Sequence, residues 1–167
     1  MTTRRFAPLV LAALCLGMAV SPSAAQSADT MEQAVLGLKL TTELVASLSK
    51  AYANLQKVIE ADPGILAKAT KQQPAGGAGR SQTVSEAVKQ FEAAGPKVVG
   101  AITSTGLTSR EFIVSQWAIA QAGIGVQMAK SGVALPDAIN KDNVAFAQKN
   151  EAALMALMAE MRKLSGR

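Results

Sequence analysis

The chain has no histidine, and its 167 residues include one cysteine, one tryptophan and one tyrosine. Aromatic side chains make up only 4% of it. The cysteine, Cys15, lies inside the apolar run from Leu9 to Val20. With Arg4 and Arg5 ahead of that run and Ser23-Ala24-Ala25 behind it, residues 1–25 read as a secretory signal peptide cleaved after about Ala25. The expected mature chain, residues 26–167, then holds no thiol and no imidazole. A disulfide framework, a zinc site of the usual ligands, haem attachment through C-x-x-C-H and any triad that needs His or Cys are excluded by composition. The location implied is the periplasm or the exterior.

Charge is also sparse. Lysine and arginine number 17 against 12 acids, and removing the signal takes away two of the former and none of the latter, leaving +3. The lysines at 39, 50, 57, 89, 97 and 149 are scattered and no aromatic residues interleave them, so no nucleic-acid footprint is present.

What the chain does have is helical periodicity. From Asp29 to Ala61, Met31, Leu38, Val45, Tyr52 and Ile59 recur in heptads beside Ala34, Thr41, Leu48 and Leu55, which predicts one long amphipathic helix. Asp62-Pro63-Gly64 stops it. A Gly/Pro/Gln-rich stretch at 72–82 has the composition of a flexible loop, with Pro74 and Arg80 standing where a phosphate loop needs glycine and lysine. Thr83-Val-Ser-Glu86 is a capping box opening a second helix, and its apolar period runs through Gly95-Pro96. That helix either kinks at the proline or is two short helices in line.

Gly106 ends it, and Thr108-Ser-Arg-Glu111 caps a third helix almost at once. From Phe112 to Ala129 this helix carries no charge. Ile113, Trp117, Ile124 and Met128 form one bulky stripe, Phe112, Ile119 and Val126 a second, and Ala118, Ala122, Gly125 and Ala129 a seam of small residues. Apolar on nearly all sides, it is expected to be surrounded by the others. Its glutamines and glycines argue against a membrane span. A last helix is expected from Asn140 or Asp142 to Leu164. The fold class is therefore all-α: a four-helix bundle or close variant, with a long first helix, a Pro-kinked second and a central apolar third.

The combination Gly106-Leu-Thr-x-Arg-Glu-Phe112, an alanine-rich apolar helix and Asn143-Val-Ala-Phe146 resembles a pattern in small exported bacterial all-helical proteins of unassigned function. The resemblance implies export and helices, and it brings no activity, cofactor or site. Periplasmic four-helix cytochromes share such an architecture, but the missing histidine and C-x-x-C-H exclude their chemistry.

Few residues stand out as candidate sites. Met155, Met158 and Met161 place three thioethers along one side of a helix, soft ligands suited to Cu(I), although methionine is as readily a core filler. Asn143 and Asn150, with Gln121 and Tyr52, either line an interior pocket or fix helix register. Trp117 is a core anchor or a stacking platform. No spacing points to an enzyme, and no cofactor is implied. The expected function is a non-catalytic envelope protein, a helical binding or scaffolding domain for another envelope protein or a small apolar ligand. The alternatives are a methionine-based Cu(I) carrier and a helix-mediated structural homo-oligomer.

Overall fold

The computed structural model describes residues 30–65 and 83–164. The expected signal peptide and the 72–82 loop lie outside the described residues. Among those described, the chain is all-α, with seven helices. They are α1 Met31–Gly37, α2 Thr42–Ala61, α3 Val84–Glu92, α4 Pro96–Thr103, α5 Ser109–Lys130, α6 Lys141–Lys149 and α7 Glu151–Leu164. No helix is long and apolar enough to cross a membrane among the described residues.

Three of the four expected helices are divided. The first, read as continuous from Asp29 to Ala61, breaks after Gly37, where Leu38 turns to extended backbone and Thr41 caps a new helix by accepting from the Leu44 amide at 3.2 Å. The heptads conceal the break because both pieces need an inward line. They use it on different neighbours, α1 against α5 and α2 against α4 and α7. Thr30 and Thr83, the N-caps of α1 and α3, are joined by an isolated antiparallel bridge.

The second expected helix separates fully at Gly95, whose φ of 109° is left-handed, and Pro96 begins α4 at a position where no amide is required. The last divides at Asn150, whose backbone leaves helical geometry while its amide group donates to the Phe146 carbonyl at 2.9 Å. Both capping boxes form. Thr83 accepts from the Glu86 amide at 3.2 Å and Thr108 from the Glu111 amide at 3.1 Å, and each glutamate reaches back to its threonine amide.

α5 is the common neighbour of α1, α3, α4 and α6. Its Phe112–Ile119–Val126 stripe is buried, as are Ala118, Ala122 and Gly125 of the small-residue seam. The other bulky stripe departs from expectation. Ile113 is buried, but Trp117 is 55% exposed and Ile124 60% exposed, so the tryptophan is not a core anchor. Apolar side chains spread all round a helix cannot say which side its neighbours occupy. Here the neighbours cover the flank with the small seam, where the helices pack closest.

That approach is tightest at Gly125, where a β-carbon would collide with the Val144 side chain of α6 and press on Ile139. Alanine in place of glycine ordinarily favours a helix by about 0.5–1 kcal/mol. At this position the sign should reverse: Gly125→Ala is expected to lower the unfolding free energy by about 1–3 kcal/mol through overpacking, measured by urea denaturation. A stabilised variant would show that α5 and α6 are not in close contact there.

Candidate functional site

Two arrangements bring polar or aromatic side chains together. The first is a chain of amides around the break between α1 and α2. Asn140 caps two helices at once: its Oδ1 accepts from the Asn143 amide at the start of α6, and its Nδ2 donates to the Leu36 and Leu38 carbonyls at the end of α1. Asn143, only 1% exposed, pairs with the extended link on both sides of its amide. Its Oδ1 accepts from the Leu40 N–H and its Nδ2 donates to the Leu38 carbonyl, each at 2.8 Å. Gln121 of α5 holds the approach to α6 in the same way, donating to the Ala138 carbonyl at 2.7 Å and accepting from the Asn140 N–H at 3.3 Å.

These hydrogen bonds occupy the faces that Gln121 and Asn143 would offer a ligand. Their partners are backbone groups left open where helices stop, so the arrangement joins elements; the open hollow of about 370 Å³ beside it is lined by Leu36 and residues 137 and 139–142, without Gln121 or Asn143. Asn150 lies apart, at the α6–α7 bend.

The second arrangement is a cavity of about 500 Å³. It lies where the C-terminal halves of α2, α3 and α7 meet the first turn of α4 and the first two turns of α5. Tyr52, Phe91 and Phe112 form an aromatic wall, with ring centroids 5.3 Å apart for Tyr52–Phe112 and 5.5 Å for Phe91–Phe112. Leu55, Ile59, Val98 and Met161 continue the apolar lining. Its polar groups are the amides of Gln90 and Gln116 and the guanidinium of Arg162, the one charged side chain among those lining it.

Tyr52 contributes its ring to this wall, but its hydroxyl is enclosed and has no hydrogen-bond partner among the described residues. Burial pushes the hydroxyl's pKa above its ordinary value, so the phenol stays protonated. Ser115 of α5 also carries a buried hydroxyl without a partner among the described residues.

The remaining candidates are dispersed. Met155 is exposed, whereas Met158 and Met161 pack against the core, which divides the three thioethers between surface and interior. Trp117 faces outward, away from the cavity. Among the described residues, no group of three or more His, Cys, Asp or Glu side chains could hold a metal ion. Sequence reasoning missed Asn140, Phe91 and Phe112 as site residues. The scarcity of aromatics was the available signal, because three of the few present converge on one wall.

The chain matches no family model, no curated protein and no solved structure in comparisons with each.

The two arrangements predict opposite responses to removing a polar group. Asn143→Ala strands the buried Leu40 amide and is expected to cost about 1–3 kcal/mol of stability. Tyr52→Phe removes a hydroxyl without a partner among the described residues, and is expected to leave stability unchanged or raise it by up to about 1 kcal/mol. Chemical denaturation of both variants beside the parent decides the matter. A large loss in Tyr52→Phe would reveal a partner for the phenol.

Proposed function

We propose that this chain is a non-catalytic helical binding protein of the cell envelope that takes a small apolar molecule into the aromatic-walled cavity between α2, α3, α4, α5 and α7. The cavity itself carries this reading. About 500 Å³ of space with apolar walls and a few convergent polar groups fits the pattern of small-molecule sites. Such a volume lined by leucine, isoleucine and aromatic rings gains by exchanging water for an apolar guest.

The groups present supply contact area and hydrogen bonds rather than a nucleophile or a base. Gln90, Gln116 and Arg162 would meet a polar end of the ligand, while the Tyr52–Phe112–Phe91 wall would take its apolar body. The export signal read from residues 1–25 supports an envelope location for the complex.

Ala94 lines the cavity beside Phe91, and a larger side chain there would fill the space. The parent is expected to bind an environment-sensitive naphthylamine dye with enhanced emission. Ala94→Phe is expected to bind it about tenfold or more weakly, with its helical circular dichroism unchanged. Native mass spectrometry of protein taken from its own host's envelope should then show a retained small molecule as added mass. Equal dye binding by Ala94→Phe, or none by the parent, would overturn the assignment.

A further inference from the structure

We propose that the guest of the aromatic-walled cavity is a monocarboxylate with one long apolar chain, its head at Arg162 on the rim and its chain against the aromatic floor. This rests on the reading of the cavity as a binding site, and it names the class of molecule that site takes.

The lining is graded in polarity. Tyr52, Leu55, Val98 and Phe112 are buried and make the floor. Their one polar side-chain atom, the Tyr52 hydroxyl, is itself enclosed, so the floor gives a ligand's polar group no side-chain partner. Gln90 and Gln116 are half-buried and Arg162 is exposed, which puts the polar groups at the rim. A guest that is polar throughout would lose water on the floor without compensation. A guest that is apolar throughout would make no use of the rim. One polar end on a long apolar body matches both parts, and a medium-length acyl chain suits a volume of about 500 Å³.

The sign of charge at the rim selects the head. Arg162 is the one charged side chain lining the cavity, and among the described residues no carboxylate lines it. Of the acids nearest in chain to the lining residues, Glu60, Glu111 and Glu160 accept from Gln56, Thr108 and Lys163, and Glu92 is exposed to water. An anionic head therefore meets an opposite charge and no like charge in the lining, whereas an ammonium head would be repelled. The planar guanidinium fork matches the two oxygens of a carboxylate, and the two amides add neutral donors beside it. Arg162 and Gln90 already take part in interactions of their own. A guanidinium has more donors than one partner uses, so the head joins that interaction instead of needing an idle side chain. Because Arg162 is exposed, its pull is modest and screened by salt. It sets a preference among heads, and the buried chain supplies the affinity.

The test is displacement of the naphthylamine dye from the processed chain by decanoate, decanol and decylamine, which share one apolar body. At low ionic strength and neutral pH, decanoate is expected to displace the dye at about fivefold lower concentration than decanol, with decylamine the weakest. Added salt should narrow the gap. Arg162→Gln should bring decanoate to parity with decanol, and Arg162→Lys should keep part of the preference. Lys163→Gln removes a neighbouring positive charge that does not line the cavity, and should keep all of it. If decanol displaces the dye as well as decanoate, or if the preference survives Arg162→Gln, the carboxylate assignment is overturned while the cavity remains a binding site. If none of the three displaces the dye, the reading of the cavity falls together with it.

Discussion

Broken helices leave backbone groups without partners, and in this protein three side-chain amides take up several of them where the chain changes direction. Gln121, Asn140 and Asn143 bind backbone at residues 36, 38, 40, 138 and 140, in bonds of 2.7 to 3.3 Å. Each uses an amide's paired donor and acceptor as a short stretch of strand would. The α1–α2 link can therefore run extended through the interior, with Leu40 buried, instead of looping out through water. This join lets α1 pack on α5 while α2 departs toward α4 and α7.

How much of this was legible in the sequence depended on whether the deciding contact was local. Thr83 with Glu86 and Thr108 with Glu111 are complete within four residues of chain, and both boxes form as spacing required. Gly106, with φ of 86°, likewise ends its segment for a reason contained in one residue. The division after Gly37 was not legible, because heptads continue across it and the groups that stabilise the extended link come from Asn140 and Asn143, about a hundred residues away. The orientation of α5 was hidden for a related reason. Trp117 and Phe112 are both apolar, and it is the neighbours from distant parts of the chain, Tyr52 and Phe91 against Phe112 and α6 against Gly125, that decide which of them faces water.

Among the described residues, the cavity and the outer face of α5 are two places where apolar surface is not spent on the core. The aromatic wall leaves space beside it, and the Tyr52 hydroxyl has no hydrogen-bond partner among the described residues. Natural folds tolerate such local losses where a site is needed and offset them elsewhere. The small-residue seam is the opposite case: Ala118, Ala122 and Gly125 are buried, and at Gly125 the side chains of Val144 and Ile139 close directly on α5.

The bonds between Asn143 and the Leu38–Leu40 link span more than a hundred positions of chain. Helices can flicker into existence as soon as their own residues are made, but this latch cannot shut until the 140s have followed. Long-range closure of that kind slows folding relative to a bundle held by neighbours in sequence. During synthesis, the corner between α1 and α2 therefore stays pliable until residues 140–143 have left the ribosome, and only then does the latch set.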